Sequence, residues 1–303
     1  MRELTIEGRR IADDTDAFVI AEIGGNHGGS VETCKRMILA ASRAGCDAVK
    51  LQKRELSHWA QKDPRWYDPY NSEHAFGATY GEHRAALEFG WDEYQELQSF
   101  AHDLGLVFFA TAFDLWSLDF LMRLGVPAIK LASASIVDIP LLRGCYVGGL
   151  PVILSTGGAT EYEVGNAVGH LRDRNGPDMA ILQCTAEYPC PSEDMNLRYI
   201  ESLRDRYQDT VVGLSDHQSG IAMAPVAYAL GARIFEKHFT LNRTMKGSDN
   251  VFSLEPDGMR KMVRDLKRTR LALGDGVKRR YAEEVASLIK MGRGDLVVER
   301  MTA

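Results

Sequence analysis

An α/β fold consisting of one (β/α)8 TIM barrel is predicted by three features of this 303-residue sequence. Eight short runs rich in Val, Ile, Phe and Ala recur along the chain. Each is mostly apolar on both faces until its last residues, the pattern of buried parallel strands. Stretches of helical period fill the intervals between them. Polar and ionisable residues collect at the C-terminal ends of all eight runs, where a barrel opens into its mouth; an open doubly wound sheet would gather them at one switch point.

The elements follow in order. Residues 4–11 (LTIEGRRI) read as a short N-terminal β-hairpin turning near Gly8. The barrel strands are AFVIAEIG from Ala17, DAVKLQ from Asp47, VFFATAF from Val107, AIKLAS from Ala128, PVILSTG from Pro151, MAILQCT from Met179, TVVGLSD from Thr210 and RIFEKHFT from Arg233. Helical patterns cover 31–44, 91–104, 161–172, 196–206, 219–230 and 255–273. Between the second and third strands lies a long aromatic and charged connection, residues 53–90; a long excursion at the catalytic face of a barrel is commonly functional. The catalytic barrel is assigned to residues 1–280 and a C-terminal tail to 281–303.

Composition narrows the function. A formal charge of −6 argues against a nucleic-acid or membrane-surface binder, so an anionic ligand would need a local cluster of cations. Cys34, Cys46, Cys145, Cys184 and Cys190 are scattered and never form a CxxC pair, which fits reduced thiols and a cytoplasmic location. The N-terminus MRELTIEGRR lacks the apolar core of a signal peptide, and no run of about 18 apolar residues predicts a membrane span. No Walker A loop, Rossmann fingerprint, GxSxG elbow or HExxH motif is present.

The strand ends carry the candidate site: Glu22 and Asn26, Lys50 and Gln52, Thr111, Lys130 and Ser133, Ser155 and Thr156, Thr185 and Tyr188, Ser215 and His217, Glu236 and His238. Lys50 and Lys130 sit inside apolar strands, where a charge must be partnered. Three partners stay open: an anionic ligand, a Schiff-base substrate, or a buried carboxylate such as Glu22. The hydroxyls of Ser133, Ser155 and Ser215 suit phosphate or carboxylate. His217 and His238 end consecutive strands, about 4.8 Å apart in a parallel sheet, so their imidazoles could share a divalent metal, with Glu236 and Asp249 nearby. Among the other histidines, His27 in GGNHGG is the one of interest.

The segments AEIGGNHGG, DAVKLQK, KLASAS, ILSTGGAT, LQCTAEYP, GLSDHQSG and FEKHFTLNRTMKGSDNVFSLEPDG resemble the sialic acid (N-acetylneuraminate) synthase family, in its order and spacing across residues 4–275. The resemblance implies a barrel enzyme joining phosphoenolpyruvate to N-acetylmannosamine or a similar aldose, with release of phosphate. It implies Lys50, Lys130, Ser133, Ser155 and Ser215 as phosphoenolpyruvate contacts, and His217 and His238 as ligands of a divalent metal, Mn²⁺ first, with Mg²⁺ or Co²⁺ as alternatives. Gln52, Tyr188 and Asp249 would hold acceptor hydroxyls, Glu22 would stand at the metal and water end, and Thr111 adds a further substrate-facing hydroxyl. Two positions depart from the pattern: Ser135, where many members carry Glu, and Ala186, where some carry Asn or Ser. Residues 281–303 are expected to correspond to the linker toward a small antifreeze-like domain outside this sequence, and a homodimer is expected. Alternatives are the same chemistry on another sugar, a lysine Schiff-base aldolase, and a partner-dependent or non-catalytic sugar-binding barrel.

Overall fold

The computed structural model describes residues 2–172 and 176–294. The chain opens with the expected hairpin, β1 (Glu3–Ile6) paired antiparallel with β2 (Arg9–Ala12). Ile6 faces Arg9, which leaves a two-residue turn of Glu7 and Gly8, both at positive φ (48° and 75°). That geometry matches the right-handed strand twist and favours glycine at the second position. Leu4, Ile6 and Ile11 are buried in the main core. Arg9 Nη1 reaches Asp47 Oδ1 at 2.9 Å, and Asp47 Oδ2 accepts from the Val19 N–H. The hairpin is therefore fastened to the N-terminal end of the barrel strands, and the opposite mouth stays clear.

Eight parallel strands form the closed barrel: β3 (Phe18–Glu22), β4 (Ala48–Lys53), β5 (Val107–Ala112), β6 (Ile129–Leu131), β7 (Val152–Ser155), β8 (Met179–Cys184), β9 (Val211–Asp216) and β10 (Ile234–His238). Their order around the barrel is their order along the chain. Closure comes from β10 pairing with β3, with His238 opposite Glu22.

The outer helices are α1 (Val31–Ala44), α2 (Leu56–Lys62), α3 (Tyr80–Leu87), α4 (Trp91–Asp103), α5 (Leu115–Leu124), α6 (Ile139–Gly148), α7 (Glu161–Leu171), α8 (Tyr199–Arg206), α9 (Met223–Ala229) and α10 (Pro256–Leu273). Helix α1 shows the local logic. The Ser30 side chain accepts from the Thr33 N–H at its start, and Gly45 closes it at φ 86°. Between them Cys34, Met37, Ile38, Ala41 and Ala44 form one buried stripe at helical spacing. Two helices start later than their sequence pattern. Asn196 takes φ 43°, which delays α8 to Tyr199, and Gly220 takes φ 110°, which delays α9 to Met223. The long connection 53–90 is not a bare loop: it holds α2 and α3, the latter begun by a reciprocal Thr79–Glu82 capping box.

The compact unit containing the barrel ends at Arg270, and a second unit begins at Leu271. Besides the last three residues of α10, it contains α11 (Ala282–Lys290) among the described residues, and the end of the expected linker, 295–303, lies outside them. Among the described residues no helix is long and apolar enough to cross a membrane.

Gly213 of β9 marks a tight point of the barrel. A Cβ there would lie 2.4 Å from the Ile234 carbonyl oxygen and 2.5 Å from Leu182 Cδ2. Gly213→Ala should destabilise the barrel by about 1–3 kcal/mol, as overpacking does. Urea unfolding checks this, and an unchanged midpoint would refute it.

Candidate active site

The C-terminal ends of the strands enclose a cavity of about 370 Å³. Glu22, Lys50, Gln52, Thr111, Lys130, Ser133, Ser155, Tyr188, Ser215, His217, His238 and Asp249 line it, whereas Thr156 and Thr185 do not: their hydroxyls donate to the Leu182 and Asp194 carbonyls. The register explains the convergence. Glu22 has Lys50 on one side and His238 on the other; Thr111 lies between Gln52 and Lys130; Ser215 lies between Cys184 and Glu236. Registered residues on neighbouring parallel strands turn to the same face of the sheet.

A buried charge network forms the floor. Lys50 Nζ lies 2.5 Å from Glu22 Oε2 and 3.6 Å from Glu236 Oε2, and donates to Thr111 Oγ1 at 2.8 Å. Lys130 Nζ is 3.9 Å from Glu236 Oε1 and donates to the Leu131 carbonyl at 2.8 Å. The Lys–Glu pairing left open by the sequence therefore exists, with both lysines still facing the cavity. Burial raises Glu22 above the ordinary carboxylate range against the pull of Lys50. Burial also acts on Glu236, but Lys130 and Lys50 together outweigh it and hold that carboxyl down, at about 2. The two carboxylates are thus unequal: Glu22 is the better proton acceptor. Burial lowers the Lys130 pKa, with Glu236 opposing.

The two imidazoles stand together at one side, ring centroids 5.5 Å apart. His217 Nδ1 lies 2.8 Å from the Thr185 carbonyl, which can only accept, so Nδ1 carries the proton and Nε2 keeps its lone pair. His238 Nδ1 is buried with no hydrogen-bond partner, 3.6 Å from Asp249 Oδ2. Burial, with His238 adding to it, takes His217 down to about 4; burial lowers His238 as well. Two neutral imidazoles with a free nitrogen each fit a borderline divalent ion. Among the described residues no three His, Cys, Asp or Glu side chains are arranged to hold a metal, so an ion here would take its remaining ligands from substrate and water. The loop bearing His217 is fixed from outside the barrel. Lys237, between Glu236 and His238 in sequence, pairs with Asp216 at 2.8 Å, and Asp216 Oδ1 accepts from the Gln218 N–H at 2.8 Å.

The hydroxyls and the acceptor-side residues complete the lining. Ser133 Oγ accepts from the Gly157 N–H at 2.9 Å, Ser215 Oγ donates to Glu236 at 3.1 Å, and Ser155 Oγ is buried without a partner. Gln52 Nε2 donates to Glu22 Oε1 at 2.8 Å, and the Tyr188 ring lies against His217 at 4.1 Å. Of the two departures from the family pattern, Ala186 lines the cavity, whereas Ser135 is buried outside it. His27 stacks on Phe89 at 4.3 Å and does not line the cavity, so it is a packing residue. Asn26 does line it, but its Nδ2 is spent on the Phe239 carbonyl and Ser253 Oγ, both at 2.9 Å.

Sequence reasoning left out Cys184, Arg54 and Arg84, and gave Glu236 no role beyond proximity. Glu236 was the most accessible of them, because the alternation of FEKHF turns Glu236 and His238 to the same face. The arginines lie on the 53–90 connection, where no periodicity reports direction.

The matched pair Lys237–Asp216, exposed by 1% and 4%, gives a test of the scaffold. Lys237→Met should cost about 3–5 kcal/mol by leaving Asp216 buried and unpaired. Chemical denaturation measures it, and a loss below about 1 kcal/mol would show the pair to be dispensable.

Comparison with known proteins matches residues 37–278 to the NeuB family model. The chain is 38% identical to the N-acetylneuraminate-9-phosphate synthase of Mus musculus over 94% of this chain and 79% of the relative. It is 34% identical to the N,N'-diacetyllegionaminic acid synthase of Legionella pneumophila, over 86% of this chain and 74% of the relative. Among solved structures, the N-acetylneuraminic acid (sialic acid) synthetase of Leptospira borgpetersenii, crystallised with citrate, superposes with a TM-score of 0.80 at 34% identity, covering 97% of this chain and 98% of that one. With the motifs, the closed barrel and these matches in agreement, the chain belongs to the NeuB family.

Proposed function

We propose that this protein condenses phosphoenolpyruvate with an N-acetylmannosamine-like aldose, giving a 2-keto-3-deoxy (nonulosonic) sugar acid and inorganic phosphate. The observation that carries the reading is the convergence in one cavity of two buried lysines, an arc of hydroxyls, an unequal carboxylate pair and two facing imidazoles. The names of the relatives agree on the product class and divide between a 9-phosphate and a diacetamido acid, so they leave the acceptor open.

In this reading Lys50 and Lys130, with Thr111, Ser133, Ser155 and Ser215, hold the phosphate and carboxylate of phosphoenolpyruvate. Gln52, Tyr188 and Asp249 hold the hydroxyls of the open-chain sugar. C3 of phosphoenolpyruvate attacks the aldehyde carbon, forming the new C–C bond, and the aldehyde oxygen ends as a hydroxyl. Water adds to the electron-poor C2. Glu22, the better base of its pair, takes the proton from that water and returns it to the alkoxide. The tetrahedral centre then collapses to the ketone: the C–O bond to phosphate breaks and the proton of the C2 hydroxyl passes to the departing phosphate. The lysines stand ready before charge moves, and such preorganised electrostatics is commonly the largest catalytic contribution. His217 and His238 would hold a divalent ion, Mn²⁺ first among Mg²⁺ and Co²⁺, which when bound supplies Lewis-acid polarisation of the aldehyde.

Phosphate release from phosphoenolpyruvate across a panel of aldoses tests the reading. Release should depend on both sugar and divalent metal, stop with chelator and return with Mn²⁺. His217→Ala and His238→Ala should each lower kcat by about a thousandfold, roughly 4 kcal/mol of transition-state stabilisation, with the fold kept. Full activity in either variant, or inactivation by borohydride only in the presence of pyruvate, would defeat it.

A further inference from the structure

The carboxylates around the cavity are already committed. Glu22 and Glu236 face Lys50 and Lys130, and Asp249 stands beside His238. Glu88 Oε1 takes Lys53 at 2.8 Å, and its Oε2 takes the Arg54 backbone N–H at 3.1 Å. Two guanidinium groups on the wall made by the 53–90 connection are left over. Arg54, just past the end of β4, lies over the Phe113 ring at 3.5 Å and donates from Nη1 to Gln52 Oε1 at 3.0 Å. Arg84, on α3, donates from Nε to the Tyr80 hydroxyl at 2.9 Å and sits 5.0 Å from that ring. Both line the cavity, and among the described residues neither is ion-paired to a carboxylate.

Placing two like charges in one partly closed pocket is unfavourable unless an anion joins them. Burial first, then the charge of Arg84, pushes Arg54 down to about 10, the direction expected of a cation short of counter-charge. The neutral contacts of both arginines orient the planar groups and leave further N–H donors for a tetrahedral oxyanion. The donor's own anions are served at the floor by Lys50 and Lys130, so a second anion is implied. Gln52 links the two regions, with one end of its amide on Glu22 and the other on Arg54.

We propose that Arg54 and Arg84 clamp a phosphate monoester carried by the acceptor, so that the substrate is an aldose 6-phosphate and the product a 9-phosphate. The numbering follows from carbon bookkeeping: three carbons from phosphoenolpyruvate become C1 to C3, and C6 of the sugar becomes C9. The phosphate is a handle at the far end of the chain, takes no part in bond making, and stays on the product. This rests on the condensation proposed above.

The test compares kcat/KM for N-acetylmannosamine 6-phosphate and for N-acetylmannosamine, with phosphoenolpyruvate saturating. The phosphorylated sugar should be preferred, and the preference should fall about tenfold or more in Arg84→Gln and in Arg54→Gln while Arg84→Lys retains most of it. Thermal melting confirms that each variant is folded, and Arg84, half-buried on a surface helix, keeps the test usable if Arg54→Gln is unstable. A preference for the unphosphorylated sugar that neither variant alters overturns the clamp and leaves the condensation standing. A rise in KM for phosphoenolpyruvate with an unchanged sugar preference also overturns it, by giving the arginines to the donor. Absence of release with either sugar defeats both readings.

Discussion

Everything in the cavity depends on keeping Lys50 charged under a layer of protein. Its side chain is 3% exposed, and its ammonium is held by Glu22, Glu236 and Thr111 from three other strands. β3 and β5 flank β4 in any case, but β10, which carries Glu236, comes within reach of Lys50 only because the sheet closes. Glu22 lies beside Lys50 through β3–β4 pairing and beside His238 through β10–β3 pairing. An open sheet of the same strands would leave Lys50 with one carboxylate and separate the imidazoles from it. Closure of the barrel and charge balance at its floor are therefore a single requirement.

Most of this was legible in the residues. The runs from Ala17 to Thr240 announced eight buried strands, because a strand covered on both faces has no choice but to be apolar, and the exceptions then stood out at its end. Lys50 and Lys130 were visible for that reason. What stayed hidden is equally physical. Arg54 and Arg84 belong to a segment whose aromatic and charged residues fit a folded wall or a solvated loop equally well, and only α3, packed in place, aims Arg84 inward. His27 drew interest as a histidine among glycines, and its ring, stacked beside Phe89, is packing. The starts of α8 and α9 were missed because a single positive φ, at Asn196 and at Gly220, overrides several residues of helical pattern.

The division of labour inside the cavity follows from where each group is anchored. The groups assigned to the donor sit at strand ends whose positions are set by the barrel ladder. The wall that carries the proposed arginine clamp comes from the 53–90 connection, held by side-chain contacts such as Trp59 to Asp114 at 2.9 Å and Lys53 to Glu88 at 2.8 Å. A rigid floor and a wall built from an insertion let one chemistry be combined with different sugars, since the wall can change without disturbing the ladder.

The strand order has a consequence for biosynthesis of the molecule itself. Glu22 arrives on the first barrel strand and Glu236 and His238 on the last, with the rest of the barrel between them in the chain. During vectorial synthesis the nascent chain carries Lys130 long before Glu236 exists to pair with it and before any strand covers the open edge of β3. The final assembly step is thus the longest-range strand pairing in the barrel, and loop-closure entropy makes such a pairing slow to form. A ribosome-bound fragment ending before Ile234 has seven of the eight barrel strands but lacks His238 against Glu22, which makes the last strand the element that converts an open, sticky sheet into a closed barrel.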